Sequence, residues 1–207
     1  MLARVSNIEA YRQWKNWQPL FDGQEEPTIE DLVRFITVDE PSEAMKAGTA
    51  FHKAMENAGD GLHTQFEANG YTFLLPDAVI ALPTTREMRA NGQYGGLTVT
   101  GQVDAVEGRI VIDHKTTGKF DPERYLNGCQ WKFYLDIFDA NEFRWNVFVL
   151  KELEPLTYGV AAPQTLTAYR YPEMHGHCQA LAADYLAFAR VHLREEIPEA
   201  VRLLMAG

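Results

Sequence analysis

The chain has 207 residues, of which 46% are hydrophobic and 23% charged, and its formal net charge is −10. These values are ordinary for a globular protein with a sizeable core, and we expect one domain over residues 1–207. No apolar run approaches the roughly 18 residues of a membrane span, and the start lacks the apolar core of a signal peptide, so we expect no membrane association. Two cysteines, Cys129 and Cys178, exclude a disulfide framework and favour a reducing, intracellular setting.

In the first half of the chain, the spacing of apolar residues predicts helices before strands. A first helix is expected over residues 8–17, a second begins at Thr28, and a third covers residues 42–58 with a serine as its cap. Residues 70–82 alternate between apolar and polar and predict one or two strands. Two glycine-containing pairs within residues 91–96 predict a turn before the next strand.

The next two apolar runs predict a β-hairpin. Residues 97–106 and 109–113 are rich in β-branched residues, and Glu107-Gly108 between them is a hairpin signal. If these two residues form the turn, Val106 faces Arg109. Alternation along each strand then places a set of residues on one face of the hairpin, with its two carboxylates as diagonal neighbours: Asp104, Val111, Asp113 and Lys115.

Two carboxylates and an ammonium on one face predict a site for a divalent cation. Mg²⁺ and Mn²⁺ prefer carboxylate, carbonyl and water oxygens, so the aspartates and the carbonyl of His114 are candidate ligands. Lys115 could orient a water molecule or stabilise negative charge. The alternative is a surface hairpin with ordinary charges. That alternative accounts poorly for Asp113, which ends an apolar run typical of a buried strand, because buried carboxylates are costly.

The second half predicts a helix, three strands and a terminal helix. Asp121 and Pro122 are typical of a helix start, and we expect this helix to present Gln130 and Tyr134 on one surface. Strands are predicted at residues 143–150, 158–160 and 165–171, the first of them central to the sheet. A last helix is predicted over residues 177–194, within a C-terminal helical region of about residues 175–207.

Four short motifs follow one another in the order found in a known family. They are Gly48-x-x-x-His52, Gly101-x-x-Asp104, Asp113-x-Lys115-Thr116 and Gln130-x-x-x-Tyr134. Together they resemble the PD-(D/E)XK nuclease superfamily, and in particular its RecB-like exonuclease branch. The resemblance covers residues 48–134. It implies an α/β fold with a restriction-endonuclease-like core, in which helices flank a central mixed β-sheet, and it implies metal-dependent hydrolysis of DNA.

The resemblance also implies roles for individual residues. The expected catalytic residues are Asp104, Asp113 and Lys115, with Glu87 as a further candidate acid. The expected metal ligands are His52, Asp104, Asp113 and His114. The expected substrate-binding residues are Gln130, Tyr134, Thr116, Lys119 and Arg124. On the residues alone, a lone helical histidine such as His52 is usually structural, and Tyr134 could be a core residue on a mixed helix face.

The same reasoning yields expectations about cofactors and partners. We expect Mg²⁺ or Mn²⁺, and no iron–sulfur cluster, since family members that hold one use four cysteines. The expected partner is DNA, with a single-strand-annealing protein or a second copy of the chain as further candidates, in the cytoplasm of a bacterial or phage-infected cell. An endonuclease of the restriction or CRISPR-adaptation type and an inactive DNA-binding subunit are the alternatives. The net charge of −10 opposes DNA binding, whereas the local cluster of basic residues around the motifs favours it.

Overall fold

The computed structural model describes residues 1–19, 21–38, 40–57, 64–75 and 85–193. These residues form a nine-stranded mixed sheet flanked by helices, which confirms the predicted α/β class. The strands are β1 (Leu2–Arg4), β2 (Gln65–Ala68), β3 (Tyr71–Leu74), β4 (Thr85–Tyr94), β5 (Leu97–Glu107), β6 (Ile110–Thr117), β7 (Glu142–Glu154), β8 (Thr157–Val160) and β9 (Gln164–Tyr169). The helices are α1 (Val5–Lys15), α2 (Ile29–Thr37), α3 (Glu43–Asn57), α4 (Pro122–Leu126), α5 (Gln130–Ile137) and α6 (Met174–His192).

Strands β5, β6 and β7 form the centre of the sheet. The strand order is β1-β5-β6-β7-β8-β3-β2, with β4 added along β5 and β9 added along β7. Strand β6 pairs in parallel with β7 from Ile110–Glu142 to Thr117–Val149, but it pairs antiparallel with β5 over only three residue pairs. One edge of β6 is therefore only partly paired with β5, and the candidate residues lie at that edge.

Two hydrophobic clusters hold the helices against the sheet. The larger one contains buried residues of α1, α2, α5 and α6 together with those of β5 and β7. The smaller one joins α3 to β3, β7 and β8, where the Phe51 ring lies 4.9 Å from that of Phe148 and 5.4 Å from that of Phe73. Helices α3 and α5 are thus fixed to β5–β7 by separate clusters.

The first three helices agree with the predicted ones in number, but not in every boundary. The prediction of 8–17 for the first helix was wrong at both ends, because β1 runs directly into a helix that begins at Val5 and ends at Lys15. The prediction at Thr28 is confirmed by a capping box in which Thr28 and Asp31 bond reciprocally. Ser42 accepts a hydrogen bond from the Met45 N–H at 3.3 Å, as expected of a cap at the start of α3.

Corrections are also needed elsewhere along the chain. The predicted turn within 91–96 lies only at its end, since Asn91 and Gly92 belong to β4 and the turn is Gly95-Gly96. The predicted single helix after Asp121 is two helices, because the chain leaves the helical path between Leu126 and Gln130. The last helix begins at Met174 and ends at His192, slightly earlier at both ends than the predicted range of 177–194. Residues 76–82 of the predicted 70–82 strand region and residues 194–207 lie outside the described part of the chain. None of the described helices is long and apolar enough to cross a membrane.

Candidate active site

The turn of the hairpin that carries the acidic residues lies one residue later in the chain than expected. The turn is Gly108-Arg109 rather than Glu107-Gly108, and Glu107 pairs with Ile110. Gly108 has a φ of +59°, which suits the first central position of a two-residue hairpin turn. The resulting change in pairing is an even number of residues, so each side chain keeps its predicted face. The position next to the last pair, Ala105–Ile112, brings Asp104 directly opposite Asp113, whereas the prediction had placed the two carboxylates diagonally.

The ladder between β5 and β6 stops at the pair Ala105–Ile112, and the Asp104 carboxylate occupies the next position. Its Oδ2 accepts a hydrogen bond from the His114 N–H at 2.6 Å. The N–H and C=O groups of one strand residue point to the same edge, so the His114 carbonyl is directed into the same gap. The His114 ring packs elsewhere, beside Phe148 and within 3.4 Å of the Asn146 amide.

Asp113 is a buried carboxylate that pairs with the lysine two residues later. Its side chain is 6% exposed, and Lys115 Nζ lies 2.9 Å from its Oδ2 and 3.2 Å from its Oδ1. The contact to Oδ2 does not have hydrogen-bond geometry, so this buried oxygen has no hydrogen-bond partner among the described residues. An unsatisfied buried carboxylate oxygen is costly, and it is an available ligand for a cation.

The pKa values of the two carboxylates are shifted in opposite directions. Burial raises the pKa of Asp113, and the nearby charge of Asp104 adds to the rise in spite of Lys115. Burial also opposes the charge on Asp104, but His52, the His114 N–H and Lys115 outweigh it and lower the pKa of Asp104. Burial opposes the charge on Lys115 as well, yet Asp113 and Asp104 raise the Lys115 pKa. A further positive charge close to Asp113 would consequently favour its ionised form.

Helix α3 places His52 beside Asp104, with Nδ1 of the imidazole 3.7 Å from Oδ2 of the carboxylate. Four residues earlier on the same helix, Gly48 lies against β6. A Cβ atom at this position would lie 2.6 Å from Oγ1 of Thr116. The glycine of the G-x-x-x-H motif therefore allows α3 to approach β6 closely enough for His52 to reach the site.

Helix α5 contributes Gln130 and Tyr134, which are hydrogen-bonded to each other. Gln130 Nε2 donates to the Tyr134 hydroxyl at 3.0 Å, and the tyrosine is buried. Burial raises the pKa of Tyr134, and the negative charge of Asp113 raises it further. A Cβ atom at Gly101 would lie 2.9 Å from the Tyr134 ring. The glycine of the G-x-x-D motif thus makes room for this ring against β5.

Two clefts meet at Lys115 and Thr116. The larger one has a volume of about 700 Å³ and is lined by α3, including His52 and Lys53. The smaller one, about 200 Å³, lies on the other side and is lined by α1, α4 and the start of α5, with Arg124 and Gln130 in its wall. Of the predicted substrate-binding residues, Thr116, Arg124 and Gln130 therefore share a cleft with Lys115, and Tyr134 is hydrogen-bonded to Gln130.

The two remaining predicted residues lie at the margin. Glu87 is exposed on β4, between residues that pair with Ala105 and Val103, and is thus across from Asp104. It has a φ of +47°, and its carboxylate accepts a hydrogen bond from Gln102 Nε2 at 3.3 Å. Lys119 is exposed beyond the end of β6 and lines neither cleft, and its backbone bonds to the Thr117 hydroxyl.

The donor set fits a hard divalent cation. It consists of the Asp113 oxygen that lacks a hydrogen bond, the second oxygen of Asp104 and the His114 carbonyl, all of which are oxygen ligands. Within the described residues, no three His, Cys, Asp or Glu side chains are grouped closely enough to hold a metal ion by themselves. Backbone and water oxygens would therefore complete the ligand set, as is usual for Mg²⁺.

One charged residue near the site was not predicted from the sequence. Glu9 of α1 lines the smaller cleft. In the sequence it is followed three residues later by Arg12, which is the spacing of an ordinary ion pair on a helix surface. No local pattern could have placed it at the start of α5, since that contact spans about 120 residues.

Comparisons with known proteins give a fold likeness only. No protein-family model and no curated protein matches the chain. A crystal structure described as a "Putative exonuclease" from Eubacterium rectale is similar over 96% of this chain and 86% of its own, with a TM-score of 0.54 and 11% identity. The crystal structure of SSO0001 is similar over 94% of this chain and 77% of the SSO0001 chain, with 14% identity and a TM-score of 0.47, which is too low to support the fold class. The first likeness supports the fold class.

Proposed function

We propose that the protein is a divalent-metal-dependent nuclease that hydrolyses phosphodiester bonds of DNA, and that it acts as an exonuclease on linear duplexes. The observation that carries the proposal is the convergence of Asp104, Asp113 and Lys115 at the open end of the β5–β6 ladder. A buried acid with an unsatisfied oxygen is expensive to maintain, and such groups concentrate at functional sites. The fold likeness to a protein described as an exonuclease agrees with the proposal.

Mg²⁺ or Mn²⁺ would be held by Asp104, Asp113 and the His114 carbonyl, with His52 beside Asp104. When bound, the cation supplies charge neutralisation at the phosphate and a lower pKa for water. This charge favours the ionised form of Asp113, which burial otherwise opposes. His52 can hold Asp104 in place or extend the ligand set.

The protein side chains supply the remaining chemistry. Lys115 keeps its proton at neutral pH, and its Nζ can donate a hydrogen bond to a phosphate oxygen or to the attacking water. Tyr134 also keeps its proton, and Gln130 orients the phenol. These two groups can bind the sugar–phosphate backbone beside the acidic pair.

Two clefts of unequal size meet at Lys115, so substrate could be held on either side of this residue. The larger cleft can receive a nucleic-acid strand, whereas the smaller one, at about 200 Å³, lies below the range of roughly 300–1,000 Å³ for drug-sized ligands. Basic residues at both clefts, Lys53 and Arg124, offset part of the net charge near the substrate.

The test is incubation of the purified protein with linear and with closed circular duplex DNA, with Mg²⁺, with Mn²⁺ and with EDTA. Metal-dependent degradation of linear DNA alone supports the proposal. Cutting of closed circles would replace the exonuclease with an endonuclease, and binding without cleavage under every condition would identify a DNA-binding subunit. The Asp113→Ala variant, prepared in parallel, controls for a contaminating nuclease.

A single-strand-annealing protein or a second copy of the chain is a proposed partner, which pull-down and sedimentation can test.

A further inference from the structure

Glu9 is a partly buried carboxylate that bonds to the start of the substrate-binding helix α5. Its side chain is 15% exposed, and its Oε2 accepts hydrogen bonds from the backbone N–H groups of Cys129 at 2.6 Å and Gln130 at 3.2 Å. Burial opposes its charge, but hydrogen bonds from Arg12 and from Cys129 outweigh burial and lower the Glu9 pKa. The group is therefore ionised at neutral pH.

The contact replaces a missing helix cap. The first N–H groups of a helix need partners from outside, and a side chain of the preceding residue usually provides one. Cys129 is the N-cap of α5, and its side chain makes no capping bond. Glu9 of α1 instead accepts from the first two N–H groups, those of Cys129 and Gln130, and a carboxylate at this position also interacts favourably with the helix dipole.

Neighbouring residues hold the carboxylate in this position. Arg12 Nη2 donates to Oε1 of Glu9 at 2.7 Å, and Gln13 Nε2 donates to the same oxygen at 2.9 Å. A Cβ atom at Gly128 would lie 3.2 Å from the Tyr125 carbonyl and 3.4 Å from Oε2 of Glu9. A glycine at this point thus leaves room for the carboxylate against the start of α5.

The helix that Glu9 caps begins with a residue of the candidate site. Gln130 is the first residue of α5, and its side chain orients the Tyr134 hydroxyl. A small displacement of this helix end would move both groups relative to Asp113 and Lys115. We propose that Glu9 is a positioning residue, which seats the start of α5 so that Gln130 and Tyr134 contact the DNA backbone. This inference rests on the proposed function.

The test compares Glu9→Ala with the wild type in kinetics, DNA affinity and amide exchange. We expect KM to rise about tenfold, the change that follows from losing charge-assisted hydrogen bonds, while kcat and the Mn²⁺ titration midpoint stay unchanged. The Cys129 and Gln130 amides should exchange faster. Glu9→Gln keeps one acceptor oxygen and should give a smaller rise in KM.

Asp31→Ala is the matched control, because it breaks the capping box of α2. It should lower the melting temperature and leave KM unchanged. In the double variant of Glu9→Ala and Gln130→Ala, the rise in KM should be smaller than the product of the two single effects, since Glu9 acts in part through Gln130. Independent, multiplying effects would overturn the inference, as would an unchanged KM in Glu9→Ala.

A failure of the proposed function gives a different result. If the wild type cleaves no DNA, the nuclease proposal falls, and the same variants are compared by fluorescence anisotropy with a labelled duplex in EDTA. Weaker DNA binding by Glu9→Ala than by Asp31→Ala then supports the positioning role. Equal binding by these two variants, or no DNA binding by the wild type, overturns it.

Discussion

Replacing Gly48 by alanine tests whether the close approach of α3 to β6 builds the site. The added Cβ would lie 2.6 Å from Thr116 Oγ1, so α3 must move by about 0.8 Å to restore an ordinary contact near 3.4 Å. Threonine is stiff at χ1 and gives way poorly. Overpacking of this kind costs about 1–3 kcal/mol, whereas alanine gains about 1 kcal/mol over glycine inside a helix. We expect the cost of overpacking to exceed the gain in helix propensity, so the free energy of unfolding should fall by up to about 2 kcal/mol.

Gly176 provides the matched control on another helix. An added Cβ there has no atom within 4 Å, so Gly176→Ala should stabilise the protein by about 0.4–1 kcal/mol. Urea unfolding of both variants measures the difference, and the Mn²⁺ midpoint for DNA cleavage reports whether His52 has moved away from Asp104. In the double variant of Gly48→Ala and Thr116→Ala, the crowding is removed and the destabilisation by Gly48→Ala should largely disappear. If Gly48→Ala is as stable as Gly176→Ala and keeps its Mn²⁺ midpoint, the close contact does not position α3.

Three further predictions concern charged groups. Lys115→Ala should abolish turnover while the circular dichroism spectrum stays that of a folded protein; residual wild-type activity would remove the lysine from the mechanism. The raised pKa of Asp113 means that its contribution to stability, measured as wild type minus Asp113→Asn without metal, falls as pH rises above about 4. The lowered pKa of Asp104 gives the opposite sign, so the corresponding difference for Asp104→Asn should shrink as pH falls below that range, and parallel curves would contradict both assignments. Asp136→Ala removes the acceptor for Tyr94, Arg170 and His175 and should cost about 2–4 kcal/mol in thermal unfolding; a cost below about 1 kcal/mol would show that water replaces it.

The shared face of Asp104 and Asp113 could be predicted because a hairpin is local. Strand alternation has a period of two, and the two runs are joined by a glycine-containing turn, so only the turn position was uncertain. The prediction misplaced the turn by one residue. The predicted face of each side chain was nevertheless correct, because moving the turn by one residue shifts the cross-strand partner by two residues. The direct opposition of the carboxylates and the bond from the His114 N–H to Asp104 required the structure, since they depend on where the ladder ends.

Contacts between distant segments could not be predicted in the same way. Gly48 and Gly101 were noticed as motif residues, but their partners, Thr116 and Tyr134, lie 68 and 33 positions away and are brought close only by packing. Glu9 has a basic residue three positions later, which is the spacing of an ordinary surface ion pair on a helix. The break between α4 and α5 was missed because a helix start at Asp121 and the spacing of Gln130 and Tyr134 are each compatible with one longer helix.

The central claim is that Asp104 and Asp113 form the metal site of a nuclease. The most direct test is the initial rate of nucleotide release from linear duplex DNA as a function of Mn²⁺ concentration, for the wild type and Asp113→Asn purified in parallel. The wild type should show a saturable rise from no activity in EDTA, and Asp113→Asn should remain at background at every concentration. A rate that is independent of Mn²⁺ and Mg²⁺, or an unchanged rate in Asp113→Asn, would contradict the assignment.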